Sequence, residues 1–198
     1  MMRRSAAIGA IALVALCFAA PRGAAAQDAR AFVSELGRQA IQVLGPGVPP
    51  SRRLARFRTL FHQDFDVPGI ARFVLGRYWR TATPQEQQEF LRLFQEYVVR
   101  AYSARLGQYG GEPFRVVGAR PIGGETVVVS EIIRPNGAPI EVDWYLVERG
   151  GRYKISDVYI SGVSMKVTQR DEFAAVIQRH GGRVEGLLGQ LRQKLAAG

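Results

Sequence analysis

Ile140-Glu141-Val142-Asp143-Trp144-Tyr145-Leu146-Val147 alternates apolar and polar side chains with a period of two. That spacing places Ile140, Val142, Trp144 and Leu146 on one face of a strand and Glu141, Asp143 and Tyr145 on the other. Phe114 to Val117, Thr126 to Arg134 and Tyr153 to Ile160 are equally rich in β-branched and aromatic residues. Turn signals separate them: Pro121-Ile122-Gly123-Gly124, Pro135-Asn136-Gly137 and Gly150-Gly151. The stretch predicts a four-stranded antiparallel meander with one face covered and one solvated.

Outward from the meander the apolar period becomes helical. Upstream, Phe32, Leu36, Ala40, Val43 and Leu44 share a stripe that Gly45-Pro46-Gly47 ends. A second helix runs from about Arg52 to Gln63, with Leu54, Phe57, Leu60 and Phe61 opposite Arg52, Arg53, Arg56 and Arg58. A short third helix holds Ile70, Phe73, Val74 and Leu75. Thr83-Pro84-Gln85-Glu86 reads as a capping box with proline in the first turn, opening a long helix striped by Phe90, Phe94, Tyr97, Val98, Ala101 and Tyr102. Downstream, Thr168 with Asp171 predicts a cap, followed by Phe173, Val176 and Ile177, a Gly181-Gly182 stop, and a last helix carrying Val184, Leu187, Leu188, Leu191 and Leu195. The expected class is α+β, with residues 27–110 mainly helical, 111–162 sheet and 163–198 helical, the helices packed over one sheet face.

The first 26 residues read as a secretory signal: Arg3 and Arg4, an apolar run from Ile8 to Ala20, and Ala24-Ala25-Ala26 before Gln27. Cleavage is expected after Ala26, which removes the single cysteine, Cys17, and leaves 172 of the 198 residues. Leu16 before Cys17 is too large for a lipoprotein site. The mature chain loses Arg3, Arg4 and Arg22 and no acid, so its formal charge goes from +10 to +7. An exported basic chain meets no nucleic acid; its charge suits lipid headgroups or acidic protein surfaces, although Arg outnumbers Lys 24 to 3 and the excess equally fits a solvated surface. The composition, 47% hydrophobic and 22% charged, describes one globular domain and excludes a disordered or disulfide-stapled chain.

Most catalytic constellations lack their residues. His62 and His180 are the only histidines, no G-x-S-x-G elbow or phosphate-binding glycine loop is present, and a metal site is not expected. Asp143 and Asp157, with Tyr145 or Tyr159, could serve an α+β enzyme pocket; a solvated Asp143 and an Asp157 used in a turn or cap is the plainer alternative.

Several segments taken together resemble the MlaC family of periplasmic phospholipid carriers. They are Val74-Leu75-Gly76-Arg77-Tyr78-Trp79-Arg80 with Thr81-Ala82-Thr83-Pro84, then Phe90, Phe94 and Tyr97, Pro135-Asn136-Gly137, Tyr153-Lys154-Ile155-Ser156-Asp157-Val158 and Ser161-Gly162-Val163-Ser164-Met165. A hopanoid-associated branch shares the pattern. The resemblance implies an NTF2-like sheet with helices enclosing a hydrophobic cavity, phospholipid as cargo and no cofactor. It also implies a monomer working between an inner-membrane ABC transporter with an MlaD-like subunit and an outer-membrane complex with an MlaA-like lipoprotein. The lipid-binding residues expected on this basis are Val74, Leu75, Tyr78, Phe94, Val98, Tyr102, Val142, Trp144, Leu146, Val163 and Met165. An exported enzyme and an arginine-rich interaction module are the rival functions.

Overall fold

A computed structural model describes residues 22–44, 47–106 and 110–197. Helices α1 (Arg22–Leu44), α2 (Pro50–Asp64) and α3 (Val67–Leu75), a 3-10 turn (Gly76–Arg80) and α4 (Pro84–Leu106) come first. Strands β1 (Phe114–Ile122), β2 (Glu125–Ile132), β3 (Ile140–Arg149), β4 (Arg152–Ile160) and β5 (Val163–Ser164) follow, then α5 (Met165–Arg179) and α6 (Val184–Ala196). The basic segment and apolar run predicted as a secretory signal, Cys17 included, lie outside the described residues. The expected cleavage point falls within α1.

The sheet is a meander in the order β1-β2-β3-β4-β5, all neighbours antiparallel. It has five strands rather than the expected four, because Val163 and Ser164 fold back to pair with Ile160 and Tyr159. Register breaks at Val116/Gly118 and at Tyr145/Leu146 insert bulges that bend and twist the sheet. β1 runs further than its pattern suggested, through Pro121, which an edge strand tolerates because no neighbour needs its missing N–H.

Local chemistry fixes the helix starts. At α4 the Glu86 amide donates to Thr83 Oγ1 at 3.2 Å and the Thr83 amide donates to Glu86 Oε2 at 2.8 Å, the reciprocal box that the sequence predicts. At α5 the predicted Thr168 cap is corrected. The helix begins four residues earlier, where Ser164 Oγ accepts the Val167 amide at 3.1 Å, and Thr168 lies inside the helix with its hydroxyl donating to the Ser164 carbonyl. At the end of α3, Gly76 adopts φ 59° and ψ −132°, a conformation a Cβ would strain, and so turns the chain into the 3-10 segment.

Burial divides into two clusters. In one, Ala29, Val33 and Leu36 of α1 and Leu60 of α2 pack on Val128, Leu146 and Ile155 of the sheet. In the other, α3, α4, α5 and α6 bury Val74, Leu75, Phe90, Phe94, Phe173, Ile177, Leu188 and Leu191 against each other, with Phe61 of α2 joining them. The Asp66 amide donates to the Ile155 carbonyl at 2.9 Å and Phe65 bridges to Ile155, so the end of α2 ties the helical cluster to the sheet.

Candidate functional site

Between the two clusters lies a cavity of about 280 Å³. Every layer contributes to its wall. Leu36, Gly37, Ala40 and Ile41 come from α1, Phe57 and Phe61 from α2, with Phe65 just beyond it, and Ile70 and Val74 from α3. Phe94, Val98 and Tyr102 come from α4, Phe114, Ile132, Val142, Trp144, Val158 and Ile160 from the sheet, and Met165 from α5. Ser156, Asp157, Lys166 and Gln169 complete the lining.

The residues are held in place by their neighbours. Trp144 Nε1 donates to Ser130 Oγ at 2.8 Å and that hydroxyl donates to the Val142 carbonyl at 2.9 Å, so the indole is satisfied within the sheet. Phe114 meets Trp144 edge-on, with centroids 6.4 Å apart. Phe57, Phe61 and Phe65 form a ladder with centroid spacings of 6.3 and 5.0 Å, four residues apart and therefore on one side of the chain. Gly37 is the point of closest approach between α1 and β1: a Cβ there would lie 2.4 Å from Phe114 Cε1. The mouth is marked by the exposed apolar residues Ile41 and Ile160, 36% and 39% accessible.

Seven of the eleven residues expected at the site line this cavity: Val74, Phe94, Val98, Tyr102, Val142, Trp144 and Met165. Four do not. Leu75, one position round the helix from Val74, is 2% accessible in the helical core. Tyr78 is buried there too, its hydroxyl taking a 2.9 Å hydrogen bond from Arg77. Leu146 lies past the register break opposite the β4 bulge at Ser156, in the core between α1 and the sheet. Val163 is 53% exposed on β5. The wall from α1 and α2 was not anticipated, because its stripes have the spacing of any core-facing helix; the Phe57, Phe61, Phe65 repeat was the available signal.

The carboxylates considered for catalysis are placed differently. Asp157 is a cap: Oδ1 accepts the amides of Val158 at 2.8 Å and Lys166 at 3.0 Å, and Oδ2 accepts the Ser164 hydroxyl at 2.5 Å. Asp143, Tyr145 and Tyr159 alternate with cavity residues and occupy the opposite sheet face, where the two tyrosine rings stack with centroids 4.5 Å apart. Burial, reinforced by Tyr159 and Asp143, raises the Tyr145 phenol above its ordinary value. No group of three metal-ligating side chains and no helix long and apolar enough to cross a membrane occurs among the described residues.

The family model described as MlaC protein matches residues 40–193, which includes every strand and most of the cavity wall. The chain belongs to the MlaC family. Toluene tolerance protein ttg2D of Pseudomonas putida is 30% identical over 118 residues, covering 59% of this chain and 55% of that protein. The intermembrane phospholipid transport system binding protein MlaC of Haemophilus influenzae is 23% identical over 125 residues, covering 61% and 58%. The aligned part thus spans little more than half the length of either relative. A solved phospholipid-binding protein from Ralstonia solanacearum, in complex with a phospholipid, superposes with a TM-score of 0.72 at 26% identity, covering 86% of this chain and 98% of that one. The MlaC-family fold is therefore shared over nearly the whole of that structure, sheet and helices together.

Proposed function

We propose that the protein is a periplasmic carrier that binds phospholipid acyl chains in the cavity between its sheet and its helices. The observation that carries this is the wall itself, an aliphatic and aromatic surface drawn from α1, α2, α3, α4, α5 and four strands around a void that opens to solvent. Folding alone gives no reason for such a void: at roughly 24 cal/mol per Å³, 280 Å³ costs about 7 kcal/mol as an upper bound, a large share of an ordinary domain's stability. An acyl chain offsets that cost. Each buried CH₂ contributes about 0.8 kcal/mol, so exposing two acyl chains to water costs on the order of 20 kcal/mol and free diffusion of the lipid is closed off. A bilayer offers the same apolar surroundings, so exchange between cavity and membrane is near neutral and docking can decide loading or release.

The predicted secretory segment supports the periplasm as its compartment. The likeness to the Haemophilus intermembrane phospholipid transport system binding protein supports a place in intermembrane phospholipid transport; in this proposal the chain works between an MlaD-like inner-membrane subunit and an MlaA-like outer-membrane lipoprotein. No catalytic step is proposed.

The test is transfer of a labelled phospholipid from donor to acceptor vesicles by the purified mature chain. Substoichiometric protein should accelerate transfer many-fold over spontaneous exchange. Transfer no faster than the blank would sink the carrier function, and transfer of hopanoid in place of phospholipid would reassign the cargo.

A further inference from the structure

Lys166 is the only lysine or arginine on the cavity wall among the described residues. It stands in the first turn of α5 and shares the wall with Ile160, the half-exposed residue at the mouth. Its ammonium has no carboxylate within ion-pairing distance among the described residues. It rests instead 4.9 Å from the Phe73 ring centroid, where the Arg170 guanidinium also sits at 5.2 Å. Asp157, on the same wall, forms no ion pair with it; its oxygens accept the Val158 and Lys166 amides and the Ser164 hydroxyl. The Lys166 amide goes to Asp157 Oδ1 and the Val167 amide to Ser164 Oγ, so two first-turn donors of α5 are already taken and the side chain is what an arriving anion meets. An aromatic face holds a partly exposed cation weakly, whereas a phosphate oxygen offers a charge-assisted hydrogen bond.

We infer that Lys166 contacts the phosphate diester of the bound lipid at the mouth and sets a preference for phosphate-bearing lipids over neutral diacyl lipids. This rests on the cavity being the lipid site. The acyl chains go inward and the phosphate, too costly to bury unpaired, stops where water and Lys166 both reach it. On loading, the ammonium leaves Phe73 for the phosphate.

The experiment loads the mature protein from vesicles containing equal amounts of phosphatidylglycerol and dioleoylglycerol, then extracts and quantifies both bound lipids. The wild type should favour phosphatidylglycerol. Lys166→Gln should lower the ratio about five- to tenfold. Lys166→Arg should keep the ratio, and so should Arg170→Gln, whose side chain is off the wall. Millimolar inorganic phosphate should leave loading unchanged. An unaltered ratio in Lys166→Gln, an equal fall in Arg170→Gln, or displacement of lipid by inorganic phosphate would overturn the assignment of Lys166. A wild type that captures neither lipid would instead remove the cavity as a lipid site.

Discussion

The Ser164 hydroxyl donates to Asp157 Oδ2 at 2.5 Å, and through this contact the last long strand dictates where α5 begins. Ser164 Oγ in turn accepts the Val167 amide and Asp157 Oδ1 accepts the Lys166 amide, so two side chains, seven positions apart, close one helix start. Because Met165, Lys166 and Gln169 all line the cavity, the cap also sets one wall of the site. Asp157→Ala should lower stability by about 2–3 kcal/mol, read as a reduced urea midpoint with unchanged slope. A variant as stable as the parent would show that the cap carries no energy.

Val142 is nearly buried, 5% accessible, on the cavity side of β3. Val142→Glu puts a carboxylate into an apolar wall, at a cost of roughly several kcal/mol to any lipid seated there. Lipid retention should be lost while the far-UV helical signal is kept. Full retention would remove Val142 from the site.

Gly37→Ala should push the Phe114 ring off its place against Trp144, costing about 1–3 kcal/mol and shrinking the cavity. Lipid uptake and urea midpoint should fall together. Phe114→Leu in the same chain should recover both, since the two positions share one contact; additive losses in the double variant would deny it.

Two carboxylates should respond to pH with opposite signs. Burial, only partly countered by Lys154, raises Asp64 above its ordinary 3.8, so its ionised form is disfavoured in the fold. That penalty is absent below the unfolded value, grows as pH rises through the folded one, and persists above it. The hydrogen bond from Arg192, at 2.7 Å across α4 and α6, lowers Glu89 below its ordinary 4.5; its contribution is present above that value and lost as pH falls through the depressed one. Near neutral pH, Asp64→Asn should therefore raise the melting temperature and Glu89→Gln lower it, and both differences should fade at the acid end. The same signs for both would contradict the assigned causes.

The parts of this fold legible in the sequence are those fixed by local chemistry. Thr83 and Glu86 sit three residues apart and satisfy each other, so the start of α4 could be read directly. The alternation in Ile140 to Leu146 gave the sheet its cavity face, and with it Val142 and Trp144. What was missed depends on residues distant along the chain. The α5 cap needs Asp157 from β4, so Thr168 with Asp171 mimicked a start that the fold does not use. The α1 and α2 walls are indistinguishable from core stripes until α1 is seen standing off the helical cluster. Val163 follows a cavity strand in sequence, yet its two-residue pairing with Ile160 leaves it outside. Gly37 looks like an ordinary helix glycine until Phe114 is placed beside it.

If lipid fills the void in the cell, removing it should be felt by the whole domain. Mature protein refolded from urea without lipid should melt about 10 °C or more below protein purified natively, and phosphatidylglycerol vesicles should restore the difference. Equal melting temperatures before and after would mean that the cavity contributes no cost when empty.

The most direct measurement is native mass spectrometry of the mature chain purified without detergent, followed by solvent extraction of whatever it carries. The predicted result is a stoichiometric adduct that resolves into phospholipid and is lost in Val142→Glu. A bare protein mass, with no adduct gained on exposure to phospholipid vesicles, would contradict the claim that this cavity holds lipid.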